Sequence, residues 1–508
     1  MAVSPAAHRV LGDVAFGCKA PRYAVKISPL RCDVQTVVPT LAHGKGRLFD
    51  KYLMTWKPDR ETLTPPYYKA LAEDLERRIK SGQLQAGTKL PPQRELADYL
   101  DLNYTTITRV YELCRKKGLI YGTVGKGTFV SPHSAEDITI AASAGGEFIE
   151  LGGINGFSEH SEYVEQATRA VIEKGYLRSL YEYSHPAGYP HQLAAGVRWM
   201  ERLGTHADIE HCAIFSGAQN ALTVALLSLF APGDKIATDE YTYSNFIELA
   251  KMLHLVLVPV KGDAHGMLAE ELDRQCRRGR IKGVYLIPTY ANPTTVSIPL
   301  ARRRELAEVI RAQGLILLED DIASWLCAVG ENAVPSMFDI LNRQSVYICG
   351  MTKSLCPGLR VAYMAFGERF KAEILHGLTN ANIKTSALDA EIITELILSG
   401  SAYKIAAQKR LLTQRSNRLY GELFPEHFDA SLAAGYYRWL PIHTGKGFRE
   451  LESELMRRGV RVYHGARFSV AGTKDEEFLR VALCSAGNMR RLEQGLTILR
   501  GYLQEVSV

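Results

Sequence analysis

Lys353 lies in GMTKSLCPGLR (350–360), directly after the short apolar run SVYICG (345–350), and Arg360 follows it behind a Pro-Gly break. A neutral lysine amine condenses with carbonyl carbons, and an arginine guanidinium pairs through two hydrogen bonds with a phosphate. Other strand-like runs end in residues that extend this chemistry. CAIFSG (212–217) leads through Gly217, Ala218 and Gln219 into a helix, where free N–H groups and the helix dipole suit a phosphate. KIATD (235–239) is followed by Tyr243, an aromatic able to lie against a flat ring. GVYLIP (283–288) is followed by Asn292 in TYANPTT, an amide on a rigid turn. LILLED (315–320) ends on Asp320, a carboxylate, and Thr352 sets a hydroxyl beside Lys353.

Taken singly, each is what any strand-to-helix turn carries. Their shared order is specific. A phosphate turn, a ring stacker, an amide, a carboxylate and a lysine suit a pyridine ring with a 5′-phosphate, a 3′-oxygen and a carbonyl carbon, namely pyridoxal 5′-phosphate. Lys353 would be the covalent anchor. Asp320 would keep the ring nitrogen protonated, Asn292 would bond the 3′-oxygen, and Arg360 would hold the phosphate. The lysine must then sit in a desolvated, cationic setting, because its ordinary pKa of about 10.4 leaves too little free amine.

Such residues converge only if the strands lie side by side. From about residue 149, apolar strands alternate with helices such as RRRELAEVIRAQG (302–314), which predicts βαβ units and a mostly parallel sheet covered on both faces. Ligands of open α/β sheets sit at the carboxyl ends of the strands. After about 390, helices with GYYRWLPI (435–442) and FLRVALCS (478–485) predict a smaller α+β subdomain.

The front of the chain has a different period. PPYYKALAEDLERRIK (65–80) places Tyr68, Leu71, Leu75 and Ile79 on one helical face. RELADYLDL (94–102) predicts a second helix, and NYTTITRVYELCRKKG (103–118) a third with Asn103 as its cap. LIYGTVGKGTFVS (119–131) reads as a hairpin. Three helices and a hairpin make a winged helix-turn-helix over 65–133. Its third helix would enter the major groove of a double-stranded DNA operator. Arg109 would pair with a base, Tyr104, Thr105 and Thr106 would lie on the same turn, and Lys126 would sit at the hairpin tip.

Charge agrees with this division. Residues 1–50 carry a net +4, 51–64 +1 and 65–133 +4, which leaves 134–508 at −3. The excess positive charge lies in the first quarter, where a nucleic acid would be met. Residues 1–53 show no period and read as a disordered arm, and 134–148 read as a linker. No apolar run is long enough to span a membrane. The nine cysteines form no C-x-x-C pair, so no metal or disulfide framework is expected, and a cytoplasmic setting fits.

Through SGAQNAL, ANPT, LEDD and TKSLCPGLR the second part resembles the fold-type I aminotransferases over about 350 residues. AGTKLPPQRELADYLDLNYTTITRVYELCRKKGLIYGTVGKGTFV (86–130) resembles the GntR family of winged helices. Together, in this order, they resemble the MocR subgroup of bacterial regulators. The resemblance implies further roles. Tyr183, in YEYSHPAGYP, would reach the phosphate of a neighbouring subunit. Arg480, in FLRVAL, would grip an α-carboxylate. Arg94 would be a DNA contact. It also implies a homodimer, with a head-to-tail arrangement allowed, and an amino acid or amine effector.

Four positions depart from the family. Ile322 and Ala323 stand where a tyrosine usually bonds the 3′-oxygen. Gly350 replaces a hydroxyl residue three before the lysine, and Thr295 replaces a glycine. These departures leave the cofactor-holding set intact but alter residues that tune turnover. The expectation is a regulator that senses an amino acid or amine through pyridoxal 5′-phosphate. The alternative is a 2-oxo acid aminotransferase with a vestigial DNA-binding module.

Overall fold

The computed structural model of the chain describes residues 54–506 apart from 81–82, 85–86, 117–118, 124–126, 131–147, 158–160, 328–332, 342, 429–434, 447 and 472–476. The arm at 1–53, Lys126 and residues 134–147 therefore lie outside the described residues. Two compact units divide the chain, Met1–Ala135 and Glu136–Val508. No helix among the described residues is long and apolar enough to cross a membrane.

In the first unit, α1 (Tyr67–Lys80), α2 (Gln93–Leu100) and α3 (Tyr104–Lys116) precede the antiparallel pair β1 (Ile120–Thr123) and β2 (Gly127–Val130). The periodic apolar residues are the packed ones. Leu71, Leu75 and Ile79 meet Leu96, Ala97 and Leu100 of α2 and Ile107 and Val110 of α3 in one buried cluster. Asn103 caps α3, its side-chain oxygen accepting from the Thr105 N–H at 2.9 Å. Two features escaped the sequence reading. The connector before α2 lies along the hairpin, with Leu90 N–H donating to the Thr128 carbonyl at 2.8 Å and Val130 N–H to that of Thr88 at 2.9 Å. Trp56 is buried ahead of α1, its indole N–H donating to Asp74 at 3.0 Å.

The second unit is built on a seven-stranded sheet. Its strands are β3 (Cys212–Phe215), β4 (Lys235–Asp239), β5 (Val256–Val260), β6 (Ile281–Leu286), β7 (Ile316–Asp321), β8 (Val346–Gly350) and β9 (Ala362–Phe366). Their spatial order is β3-β9-β8-β7-β6-β4-β5. Six of them are apolar runs legible in the sequence, with LVLVPV (255–260) supplying β5; β9 is not. Its link from β8 is too short for the crossover that a parallel neighbour requires, so β9 runs antiparallel to β8 and to β3.

Helix α4 (Pro190–Arg202) packs flush on β9 through Gly196, where a Cβ would stand 2.2 Å from the Tyr363 ring. Gly196→Ala is therefore expected to destabilise the unit by roughly 1–3 kcal/mol through overpacking, although alanine is the better helix former. A lowered thermal midpoint checks this. The remaining elements that matter here are α5 (Ala218–Leu229), α6 (Met351–Ser354), α7 (Ser401–Leu423) and α8 (Met489–Val506). The smaller sheet holds β10 (Tyr437–Ile442), β11 (Tyr463–His464) and β12 (Glu477–Ala482), antiparallel in the order β10-β12-β11.

Candidate functional site

The carboxyl ends of the parallel strands open on a cavity of about 990 Å³. Ala218, Gln219, Tyr243, Asn292, Asp320, Thr352, Lys353, Arg360 and Arg480 all line it. Gly217 adopts φ +88° at the start of α5, and a Cβ there would fall 2.6 Å from the Arg360 guanidinium. The guanidinium thus lies directly on the turn from which the first N–H groups of α5 project, groups that no helix can satisfy internally. Cation, dipole and free donors coincide, which is what a phosphate requires. Tyr183 is not brought to this cavity; it is 86% exposed.

Asp320 is buried at the end of β7. One carboxylate oxygen accepts from the Tyr285 hydroxyl at 2.7 Å, while Oδ1 has no hydrogen-bond partner. Burial pushes its pKa up to about 7, against the pull of that hydroxyl, and neighbouring Asp321 adds to the rise. A cation delivered to Oδ1 would restore the charged form. The next residue does something else: Asp321 caps the following turn, its Oδ1 accepting from the N–H groups of Ala323 and Ser324.

Lys353 sits on α6, its amine donating to the Ile154 carbonyl. Burial lowers its pKa to about 8, helped by the Arg480 and Arg360 cations and opposed by Cys484. The residue is therefore a base with a substantial neutral fraction near neutral pH, the condition for attack on a carbonyl. Arg480, buried on β12, donates to Asn292 Oδ1 at 2.8 Å and to the Gly152 carbonyl at 2.6 Å, and its Nε has no partner. Phe468 lies 4.5 Å from the guanidinium carbon. Because Asn292 gives its oxygen to Arg480, the amide NH₂ is the end left to donate to a ligand oxygen.

Several participants were not found from sequence. Tyr285 points from the middle of the β6 run and carries no local signal. Segment 152–154 supplies carbonyls to both Arg480 and Lys353. Lys409 is buried on α7 and donates to the carbonyls of Lys353 at 3.2 Å and Leu355 at 2.7 Å. It shares a helical face with buried Ala402, Ile405 and Thr413, so its 3.6-residue period was a usable signal. Among the departures, Ile322 lines the cavity and Ala323 is buried. Thr295 holds φ +65°, a conformation that favours glycine. Gly350 leaves room for a side chain, since a Cβ there would meet only Ala218 at 3.4 Å.

In the first unit, Tyr104, Thr105 and Arg109 are exposed on α3, with Thr106 half-buried and Arg94 exposed on α2. The Thr105 hydroxyl donates to Asn103 at 2.9 Å, so it is engaged in the cap.

Comparison with known proteins adds the following. Residues 67–130 match the family described as bacterial regulatory proteins, gntR family, and residues 152–499 match aminotransferase class I and II. The HTH-type transcriptional regulator YdeF of Bacillus subtilis is 36% identical over 90% of this chain and 99% of its own length. The vitamin B6 salvage pathway transcriptional repressor PtsJ of Salmonella typhimurium is 23% identical over 78% of this chain and 90% of its own. Among solved structures, the α-aminoadipate aminotransferase LysN of Thermus thermophilus superposes with a TM-score of 0.64 at 21% identity, covering 71% of this chain and 93% of that one.

Proposed function

The chain belongs to the MocR-type subgroup of the GntR family, in which a winged helix-turn-helix precedes an aminotransferase class I and II domain, and from that premise we propose that it is a pyridoxal 5′-phosphate-dependent transcriptional regulator responding to an amino acid or amine. The observation that carries this reading is the buried Lys353 amine, set in one cavity with an orphaned Asp320 oxygen and an Arg360 guanidinium lying on the Gly217 turn.

These residues fit the cofactor. Asp320 would hold the ring nitrogen, Asn292 the 3′-oxygen, Tyr243 the ring face, and Gly217, Ala218, Gln219, Thr352 and Arg360 the phosphate side. Bound there, the cofactor supplies a carbonyl carbon that reacts reversibly with primary amines. Arg480 would orient an effector by its carboxylate, and Lys353 would give up or take a proton at Nζ. In a homodimer, Tyr183 would serve the partner's phosphate site, and two DNA-binding units would read paired half-sites. Effector binding then shifts operator affinity by a coupling of roughly 1–3 kcal/mol, about five- to 150-fold.

The test is footprinting on DNA upstream of the protein's own and neighbouring genes, with and without cofactor and candidate amines. Arg109→Ala is expected to weaken operator binding by about 1–3 kcal/mol, about five- to 150-fold, and to relax sequence preference at one base pair. Protection that is indifferent to both cofactor and amines would sink the regulatory reading. Steady turnover of an amino donor with a keto acid, without any DNA protection, would instead favour an aminotransferase.

A further inference from the structure

Resting on the function proposed above, we infer that the effector is a monocarboxylic amino acid with a neutral, mainly apolar side chain of leucine size or longer, lying between Arg480 and the wall made by Leu412, Met489 and Leu492.

Charge decides the first half. Among the described residues that line the cavity, four are charged: Asp320, Lys353, Arg360 and Arg480. Arg360 lies on the Gly217 turn and is committed to a phosphate. Asp320 is committed to a ring cation, and Lys353 is the amine to be displaced. Arg480 is left as the one cation for a carboxylate, and its buried Nε stands without a partner. A second carboxylate on the effector would be desolvated with no cation to receive it, and an ammonium on its side chain would find only Asp320, already engaged. Taking either charge out of water without a partner is penalised strongly.

Position decides the second half. Arg480 and Lys353 bond to carbonyls two residues apart, those of Gly152 and Ile154, so carboxylate and amine sites flank one strip of chain. The strip continues to Asn155, whose N–H donates to Ser485 Oγ at 2.9 Å. In the lining of the same cavity α7 and α8 meet, with Ser416 Oγ 3.6 Å from Met489 Sδ. Here Leu412, Met489 and Leu492 present hydrocarbon and a thioether to the cavity. A volume of about 990 Å³ lies at the upper end of the usual range of about 300–1,000 Å³ for ligand pockets, so room remains beyond the cofactor. An apolar side chain fills that room favourably.

The experiment uses the full-length protein loaded with pyridoxal 5′-phosphate, with loading verified by borohydride trapping at position 353. L-Norleucine, L-methionine, L-glutamate, L-2-aminoadipate and L-lysine are titrated, following the visible spectrum of the bound cofactor and the thermal midpoint. Norleucine and methionine are expected to act at concentrations at least about tenfold lower than the other three. Leu412→Arg, at a half-buried position, places a second cation on the wall and is expected to move the preference toward glutamate by about tenfold. Loaded protein that responds to glutamate or lysine as readily as to norleucine, or that ignores the neutral amino acids, overturns the inference. Failure of loading itself would sink the proposed function instead.

Discussion

Lys353→Ala is expected to lose all covalent capture of pyridoxal 5′-phosphate. Wild-type protein should keep the cofactor through gel filtration and, after borohydride reduction, carry it on the peptide containing residue 353; the variant should emerge colourless. The specificity is physical. A second buried lysine, Lys409, stands close by and is also held down to about 8 by burial. Its amine is occupied by the carbonyls of Lys353 and Leu355, and it is absent from the cavity wall. An adduct on Lys409 in the wild type, or undiminished capture by the variant, would refute the assignment. The reaction has a pH signature as well. The neutral amine is the nucleophile, and the folded pKa lies near 8 rather than at the ordinary lysine value. Capture should therefore accelerate as pH rises from 6 and level off just above about 8, whereas an exposed lysine would keep gaining toward about 10.4.

Asp320→Asn should act in two opposite directions. With cofactor present, the carboxylate that would hold a ring cation is gone. Removing one partner of a buried ion pair costs about 3–5 kcal/mol, so retention should fall by on the order of a hundredfold or more. Without cofactor, the same substitution should stabilise. Asp320 titrates near 7 in the folded chain against 3.8 unfolded. An acid whose folded pKa is raised binds its proton more tightly when folded, so its contribution to stability falls as pH rises from about 4 to about 7 and stays lost above that. Asparagine has no charge to bury and can still accept from Tyr285. At pH 7.5 the apo variant should therefore melt above the apo wild type, by a margin on the order of 2 kcal/mol, and the two should converge near pH 4. Thermal melts with and without cofactor at both pH values check the pair of signs. A variant destabilised in the apo state, or unchanged in cofactor retention, would remove Asp320 from the role given to it.

The legible part of this molecule was the part written in short-range order. Helical spacing in 65–80 marked Leu71, Leu75 and Ile79, all buried, because a helix turns its face to the core every 3.6 residues regardless of what it meets there. Short apolar runs marked six of the seven sheet strands, and a parallel sheet gathers whatever follows its strands at one edge. The residues of SGAQNAL, ANPT, LEDD and TKSLCPGLR therefore came to a common cavity from positions more than a hundred residues apart. Strand β9 escaped because only the one-turn α6 and an arginine turn separate it from β8, and only pairing shows that it reverses direction.

The sequence by itself determined which residue types stand at the strand ends, and hence the chemistry available: an amine, a carboxylate, an amide, two guanidinium groups and a helix start. Tertiary structure alone decided how those groups are poised. Tyr285, Lys409 and the carbonyls of Gly152 and Ile154 reach the site from other parts of the chain, while burial lowers Lys353, raises Asp320 against the pull of the Tyr285 hydroxyl and leaves Arg480 Nε without a partner. Identity is a local property of a chain, whereas desolvation and hydrogen-bond partnership depend on neighbours that only folding assembles.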